Sequence, residues 1–178
     1  QQNELKSIQL EKLLVESQLQ ALKMQLQPHF LFNSLNAIYM LIEKEPKLAR
    51  STLRKLSELL RSTLDRVGSQ EVRLKEELEF LSRYLEIEQV RFGERLKVSI
   101  AVPAGLEEAS VPNMILQPIV ENAIKHGISK IRGEAILEIA ASKQNGNLTL
   151  CVHNNGYGIS TGSREGAGRG IGIVNTRA

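Results

Sequence analysis

The chain has 178 residues, 42% of them hydrophobic, and a formal net charge of +3. This length is typical of one or two domains, and the apolar content suffices for a buried core. Because acidic and basic residues are mixed along the chain and only 4% of residues are aromatic, no nucleic-acid partner is expected. The single cysteine, Cys151, excludes intramolecular disulfides and indicates a reducing compartment.

Both ends of the chain are expected to be cut from a longer protein. The chain starts without Met inside a helical pattern and stops at Ala178 in what looks like the first turns of another helix. No apolar run approaches the ~20 residues of a membrane span, and no signal peptide is visible. Any membrane segment is therefore expected outside this chain.

The first 26 residues show a heptad pattern. Apolar residues recur at alternating steps of three and four, with one lysine among them: Leu5, Ile8, Lys12, Val15, Leu19, Leu22 and Leu26. This pattern predicts a coiled-coil stalk over residues 1–26 that joins two copies of the chain. Because the pattern covers barely three heptads, a single amphipathic helix lying on its own domain is the alternative.

A histidine follows a proline in the next helical pattern. Pro28 lacks an amide N–H and crowds the preceding turn, so an arriving helix must kink or restart there. Apolar residues then recur at spacings of three and four: Phe30, Leu31, Phe32, Leu35, Ile38, Tyr39 and Ile42. This wide stripe leaves His29, Asn33 and Asn36 together on another face. The imidazole is a candidate nucleophile, base or ligand, and a solvated, hydrogen-bonded histidine is the plainer interpretation.

Two further helices are predicted in the region 27–92. After a break at Glu45–Pro46, residues 47–66 carry a leucine-rich side and would pair with the His29 helix as a hairpin. Two such hairpins in a dimer would form a four-helix bundle with His29 exposed on its flank. Residues 74–91 are rich in charge and are interpreted as a connector with solvated faces.

A second domain is predicted over residues 93–178. Residues 96–102 alternate between apolar and polar or small side chains, which is typical of a strand. A helix is predicted at 111–127, followed by strands at 134–141 and 147–152 that an Asn145–Gly146 turn joins as a hairpin. The expected architecture is an α/β sandwich with a helix on an antiparallel sheet, which makes the whole chain α+β.

The predicted 111–127 helix carries a second set of candidate residues. Glu121, Asn122 and Lys125 are expected to share one polar face, with Gln117 and His126 on the same helix. Mg²⁺ takes oxygen ligands and usually keeps waters and substrate phosphates, so this combination suits a nucleotide triphosphate. An ordinary amphipathic helix would often show the same face, so the pattern is weak by itself.

Two glycine-rich runs follow, at 154–158 directly after a strand and at 166–172 before a helix predicted to begin near Ile171. Glycine turns let backbone N–H groups approach phosphate oxygens, and a helix start adds its positive end. Neither run ends in the Gly-Lys-Ser/Thr of a Walker A loop, and the second run alone would count as a flexible loop.

In combination these motifs resemble the LytS-like sensor histidine kinases. The catalytic half of that family belongs to the ATPase superfamily shared by gyrase, histidine kinases and mismatch-repair ATPases. The resemblance covers roughly residue 22 to the end of the chain. It rests on Gln-Pro-His-Phe-Leu-Phe-Asn at 27–33 for the phosphoacceptor segment, on residues 117–127 for the N-box, and on the two glycine runs.

The resemblance implies the kinase core of a two-component sensor, working as a homodimer. His29 would take the γ-phosphoryl group of ATP and pass it to an aspartate of a response regulator receiver domain. Asn122 would bind Mg²⁺, Lys125 a phosphate, and residues 159–168 would form a short lid. The chain would be the cytoplasmic portion of a bacterial inner-membrane sensor, whose membrane segments lie outside it.

The implied nucleotide-binding residues come from the N-box and from both glycine runs. Asn155 and Gly158 resemble the adenine-side loop, and Gly168, Gly170 and Gly172 resemble the phosphate loop. The full set is Asn122, Lys125, His126, Asn154, Asn155, Gly156, Gly158, Gly168, Gly170, Ile171 and Gly172.

Two departures from the superfamily pattern concern the nucleotide. Asn154 stands where an Asp carboxylate usually accepts the adenine amino group, and a neutral acceptor forms the weaker bond. Pro118 stands four residues before Asn122, where related ATPases carry Asn or a water-activating Glu. Hydrolysis of ATP by water is therefore not expected.

A third departure concerns the acceptor histidine. Phe30 follows His29, so the neighbouring acid that many histidine kinases use as a base is absent. Neutral imidazole can attack without prior deprotonation, Asn33 can orient the ring, and Glu121 is a weak candidate for the proton acceptor. The candidate catalytic set is His29, Asn33 and Glu121.

Two other functions remain open from the sequence. One is a degenerate kinase of the same fold that acts as a dimerising scaffold, which Asn154 and the near absence of aspartates favour. The other is a superfamily relative that phosphorylates serine on a separate protein, for which a helical hairpin with its own histidine would serve no purpose. The resemblance also implies that further strands and a helix follow the second glycine run, so the ATP-binding domain is expected to be incomplete.

Overall fold

The computed structural model describes residues 28–66, 68–157 and 169–177, with residue 157 and the 169–177 stretch described as backbone. The chain is α+β, as predicted. It divides at Gly68/Ser69 into two compact units, which we call the helical unit and the sheet unit. The coiled coil predicted over residues 1–26 lies outside the described residues.

Two helices, α1 (Pro28–Lys44) and α2 (Pro46–Asp65), form the helical unit and pack against each other. Glu45 alone separates them. Pro46 explains the break, because a proline disfavours helical geometry in the residue before it but is tolerated in the first turn of its own helix. The predicted pair of helices is confirmed.

The apolar residues of α1 divide between two faces. Phe30, Ser34 and Ile38 are buried, and the buried residues of α2 recur at a similar spacing: Ala49, Thr52, Leu56, Leu59 and Thr63. A second face of α1 is exposed and consists of Phe32 (68%), Leu35 (44%), Tyr39 (73%) and Ile42 (53%). Only part of the wide apolar stripe predicted for α1 is therefore buried, because one neighbouring helix covers only one side of it.

The sheet unit contains a two-stranded and a four-stranded sheet. In the small sheet, β1 (Glu71–Arg73) pairs antiparallel with β3 (Ser110–Pro112). The large sheet has the order β2-β4-β5-β6, formed by β2 (Leu96–Ala101), β4 (Ala135–Gln144), β5 (Asn147–Tyr157) and β6 (Arg169–Arg177). Strands β2 and β4 are parallel. The prediction of a purely antiparallel sheet is wrong, because a helix-containing crossover separates β2 from β4.

The hairpin between β4 and β5 is confirmed. Gln144 pairs with Asn147, so Asn145 and Gly146 alone form the turn, with φ values of 51° and 80°. Positive φ at both central residues is what a two-residue hairpin of this kind requires. Alternate residues of both strands, among them Leu137 and Leu150, are almost fully buried and form the core under the sheet.

The helix predicted near Ile171 is wrong, because this stretch belongs to β6 and pairs antiparallel with β5. Gly170 lies opposite Asn154, and Ile171 lies opposite His153. Glycines at every second position suit a strand as well as a loop, since a strand has a period of two. Pairing also satisfies the backbone N–H and C=O groups along the edge of β5.

Helix α3 (Leu74–Phe92) belongs to the sheet unit. Its buried side includes Leu78, Leu81 and Leu85 together with Glu77 and Glu88. The prediction of a connector with solvated faces is therefore wrong, because one side of the helix is buried and includes two of its glutamates. Because α3 belongs to the sheet unit, the boundary between the units falls after Gly68, whereas the predicted second domain began at residue 93.

Helix α4 (Gln117–Asn122) continues into a π-helical turn (Ala123–Gly127). The predicted start of this helix at residue 111 is wrong, because residues 110–112 pair as β3. Between β3 and α4, Met114 has a φ of 59°, which is uncommon for a residue with a side chain. Its amide donates to Oε1 of the buried Glu77 at 2.9 Å, so α3 anchors the turn that leads into α4.

Replacing Glu77 with Ala removes the acceptor of the Met114 amide. We expect the free energy of unfolding of the sheet unit to fall by about 1–3 kcal/mol, because a buried donor loses its partner. Urea denaturation followed by circular dichroism measures this change. Glu79→Ala, at an exposed position of the same helix, is the control and should stay within about 0.5 kcal/mol of the unchanged chain. Equal losses in both variants would show that the Glu77 bond does not stabilise the turn.

Candidate functional sites

His29 is exposed in the first turn of α1, beside Asn33. Asn33 Nδ2 lies 3.1 Å from Nδ1 and 3.3 Å from Nε2 of the histidine ring. Because a single carbon separates the two ring nitrogens, an atom nearly equidistant from both lies towards the face of the ring, out of line with either lone pair. Asn33 therefore restrains the imidazole and leaves the in-plane directions of both nitrogens open. Asn36 is also exposed on this helix.

Asn122, Lys125 and His126 are exposed at the end of α4 and in the π-helical turn. Glu121 differs from them, because it is 7% exposed and accepts a hydrogen bond from Gln117 Nε2 at 2.7 Å. The predicted polar face shared by Glu121 and Asn122 is therefore wrong. Glu121 follows Gln117 by four residues along the buried side of the helix, whereas Asn122 is one position further round.

Four titratable side chains form what we call the acid cluster: Tyr84, Glu88, Arg91 and Glu121. Tyr84 and Glu88 are buried in α3, and Arg91 Nη2 lies 2.6 Å from Glu88 Oε2. Burial raises the pKa of Glu88 to about 7, the Arg91 guanidinium opposes this shift, and the Glu121 carboxylate adds to it. Burial likewise raises the pKa of Tyr84 well above its ordinary value, with the charges of Glu88 and Glu121 adding to the effect. Two helices thus bury two carboxylates with one guanidinium.

Sequence reasoning missed the acid cluster. It placed Glu88 and Arg91 on solvated faces and did not single out Tyr84. A signal was present in the spacing, since Tyr84, Glu88 and Arg91 recur at steps of four and three on the side of α3 that also carries Leu81 and Leu85. Polar residues within an apolar stripe need buried partners, and the sequence did not show that Glu121 is one of them.

The π-helical turn meets the end of β5 through two glycines. A Cβ atom at Gly156 would lie 2.6 Å from the carbonyl oxygen of Gly127 and 2.7 Å from its Cα atom. A Cβ atom at Gly127 would in turn overlap the side-chain amide of the buried Asn154. This close approach brings Asn154 and Gly156 beside the turn that carries Lys125 and His126.

Asn155 holds two strand ends together through its side chain. Its Oδ1 accepts a hydrogen bond from the Ile136 amide at 2.8 Å, and its Nδ2 donates to the Glu134 carbonyl at 2.9 Å. These bonds continue the pairing of β4 and β5 beyond the Leu137–Asn154 pair. Each end of the Asn155 amide makes one of these bonds, which fixes the side chain between the two strands.

The end of the second glycine run forms part of a strand in the structure and not the predicted loop. Gly170, Ile171 and Gly172 lie in β6, each paired with a residue of β5, so the loop predicted at these three positions is wrong. Pairing with the exposed edge of β5 competes with loop formation, and the structure shows the paired form. Gly158, Gly168 and the predicted lid between them lie outside the described residues.

The residues around Asn122 fit a hard cation that is shared with a substrate. Across the described ranges, no group of three His, Cys, Asp or Glu side chains could hold a metal by itself. Mg²⁺ is commonly bound by one or two protein oxygens, with waters and substrate phosphates completing its shell. The exposed amide of Asn122 can supply one oxygen, and Lys125 lies one turn further on for a phosphate.

Replacing Gly156 with Ala should push the π-helical turn away from β5, because the new methyl group would meet the Gly127 backbone. We expect faster hydrogen exchange of the amides at 123–127 and a loss of about 1–3 kcal/mol in the free energy of unfolding. Gly133→Ala is the control, because a Cβ atom there meets nothing within 4 Å. Unchanged exchange in Gly156→Ala would contradict the close contact.

In the part of the chain that the structure describes, no helix is both long and apolar enough to cross a membrane. Residues 17–96 match the family model described as Histidine kinase. The sensor histidine kinase BtsS of Escherichia coli (strain K12) is 38% identical over 165 residues, a match that covers 93% of this chain and 29% of BtsS. The sensor protein LytS of Oceanobacillus iheyensis is 37% identical over 155 residues, covering 87% of this chain and 26% of LytS.

Solved structures are more distant. The histidine kinase AdeS of Acinetobacter baumannii matches with a TM-score of 0.41 and 14% identity, over 69% of this chain and 61% of that chain. The catalytic domain of histidine kinase ThkA matches with a TM-score of 0.39 and 15% identity, over 51% of this chain and 60% of that chain. The chain spans less than a third of the length of these curated sensor relatives. From the family match and the identities of 37% and 38%, the chain belongs to the LytS-like sensor histidine kinases.

Proposed function

We propose that this chain is the kinase core of a two-component sensor, which phosphorylates His29 from ATP and passes the phosphoryl group to an aspartate of a response regulator. One observation supports the proposal: the residues predicted as acceptor and those predicted as nucleotide site lie on separate compact units. Exposed His29 lies against Asn33 in the helical unit, whereas the exposed residues at 122–126 lie beside Asn154 and Gly156 in the sheet unit. This arrangement suits an enzyme whose phosphate acceptor is part of its own chain.

The chemistry at His29 needs a ring nitrogen with an accessible lone pair. That nitrogen attacks the γ-phosphorus of ATP, the new N–P bond forms, and the bond to the bridging oxygen breaks, so that ADP leaves with the electron pair. The other ring nitrogen then releases its proton. Asn33 lies towards the ring face, so it restrains the imidazole without blocking the attack. In the second transfer, an aspartate carboxylate attacks the phosphorus and the N–P bond breaks, so that the ring nitrogen keeps the electron pair and the imidazole takes up a proton.

The residues at 122–126 would bind the triphosphate. Asn122 would hold Mg²⁺ through its amide oxygen, and the bound ion would neutralise phosphate charge as ADP leaves. Lys125 and His126 would contact phosphate oxygens, and Asn154 would accept the adenine amino group. Pro118 offers no group to activate water, so hydrolysis of ATP by water is not expected.

The exposed apolar face of α1 supports a homodimer. Phe32, Leu35, Tyr39 and Ile42 lie on this face, and α2 adds the exposed Leu53 (48%) and Leu64 (42%). Apolar faces of this extent are usually covered by a partner. A second helical unit would complete a four-helix bundle, and His29 would remain accessible because it lies about a quarter turn away from the apolar face.

The whole protein is proposed to be a membrane-anchored bacterial sensor with this core on the cytoplasmic side. The relatives named above are sensor proteins several times longer than the matched segment. Segments of the longer protein would provide the anchor and the signal-receiving domain.

A catalytically weak scaffold of the same fold is the second candidate. Asn154 favours it, because a neutral amide is a poorer acceptor than a carboxylate. Glu121 also favours it, since its burial in the acid cluster removes it as a proton acceptor for His29. Titration with Mg-ATP separates the two candidates, because only the kinase requires nucleotide.

Replacing His29 with Gln should abolish the incorporation of acid-labile, alkali-stable phosphate from ATP and leave nucleotide affinity unchanged. The acceptor would be lost while the sheet unit stays intact. Radiolabelled ATP with acid and alkali treatment measures the labelling. His153→Gln is the matched control, because that histidine pairs with Glu138 in the sheet and should not be labelled. Undiminished labelling of His29→Gln would overturn the assignment.

Replacing Asn122 with Ala should remove Mg-ATP binding and phosphorylation together, because the phosphates lose their metal contact. Isothermal titration with and without Mg²⁺ would show the loss. Asn147→Ala, at an exposed position at the start of β5, serves as the control and should bind like the unchanged chain. Normal Mg-dependent affinity in Asn122→Ala would contradict the assigned ligand.

A further inference from the structure

The acid cluster between α3 and α4 has no part in the proposed phosphoryl transfer. Glu88 is 2% exposed, and its nearest cation is Arg91, whose Nη2 lies 2.6 Å from Oε2. This approach is not aligned as a hydrogen bond, and Oε2 has no hydrogen-bond partner among the described residues. A buried carboxylate oxygen in this position is costly unless it gains a proton or a donor.

Glu88 and Glu121 repel each other when both carboxylates are ionised. Glu121 accepts a hydrogen bond from Gln117 Nε2 on the buried side of α4. The groups that act on Glu88 are Arg91 on its own helix and Glu121 on α4, with Tyr84 one turn earlier. Arg91, whose side chain is 24% exposed, opposes the effect of Glu121 on Glu88. A proton on Glu88 removes the repulsion.

The position of α4 is sensitive to this repulsion. A helix of six residues has little stability of its own, so its place is set by its contacts. Glu121 precedes Asn122 directly in the chain. Any force that separates Glu121 from Glu88 therefore also moves Asn122.

We propose that Glu88 is a positioning residue for the nucleotide site: protonated, it holds α4 against α3, and ionised, it loosens α4 and weakens nucleotide binding. The proposal rests on the proposed function, because it assumes that Asn122 and Lys125 contact Mg-ATP. Burial raises the pKa of Glu88 to about 7, so the change falls near neutral pH.

The first test is the pH dependence of Mg-ATP binding to the 178-residue chain and to Glu88→Gln, measured by isothermal titration. Glutamine keeps the shape of the protonated side chain and cannot ionise. The unchanged chain should lose affinity above neutral pH, by up to about tenfold per pH unit if one proton is required. Glu88→Gln should lack this loss, while Glu79→Gln, at an exposed position of α3, should keep it. Comparison between variants cancels the titration of the nucleotide itself.

The second test uses no nucleotide. Folded Glu88 keeps a proton that the unfolded chain releases between about pH 4.5 and 7, so stability should fall as the pH rises through this range. Urea denaturation should show this fall in the unchanged chain and not in Glu88→Gln. In Glu121→Gln the fall in stability should end at a lower pH, because the charge of Glu121 no longer raises the pKa of Glu88.

The outcomes separate the two proposals. If the unchanged chain binds no Mg-ATP at any pH, the proposed function fails, while the denaturation series still tests the cluster. If it binds and Glu88→Gln keeps the same pH dependence of affinity, the positioning role is overturned. Glu88→Gln could also lose the pH dependence of stability while its Mg-ATP affinity keeps the pH dependence of the unchanged chain. That result would show that Glu88 is structural and would overturn the positioning role.

Discussion

The candidate nucleotide site depends on the position of a helix that is too short to be stable without contacts to its neighbours. Helix α4 has six residues, and its candidate nucleotide ligands lie at its end and in the following π-helical turn. Three contacts fix it from outside: Glu77 holds the Met114 turn before it, Glu121 joins the acid cluster, and the turn rests on Gly156. The site is thus built from residues far apart in sequence, and α3 supplies two of the three contacts.

The acid cluster shows how such a contact can serve function at a cost in stability. Well-packed apolar residues would join α3 and α4 more firmly than two carboxylates with one guanidinium, because burying charge carries a desolvation penalty. In return, the contact responds to protonation, and an apolar contact would not. On the buried side of α4, Gln117 donates a hydrogen bond to Glu121, so part of this polar layer is satisfied within the helix itself.

In the helical unit, three sides of helix α1 differ in what they contact or expose. One side of α1 packs in the hairpin core, a second side presents large apolar residues, and a third carries His29 with Asn33. Because successive residues of a helix point in different directions, a single helix of 17 residues can pack, offer a dimer surface and expose an acceptor. The proposed chemistry requires only that the third face stays clear of the other two.

The sequence by itself determined the elements whose causes are local. Proline placement, strand alternation and the Asn145–Gly146 turn act within a few residues, so the helix pair, three strands of the large sheet and the hairpin were predictable. The motifs around His29 and Asn122 likewise indicated the family. Tertiary structure alone decided which polar residues are buried and which glycines form a strand. Glu121 and Asn122 are neighbours in sequence, but only Glu121 is buried, and residues 169–177 became a strand because the edge of β5 was available to pair with them.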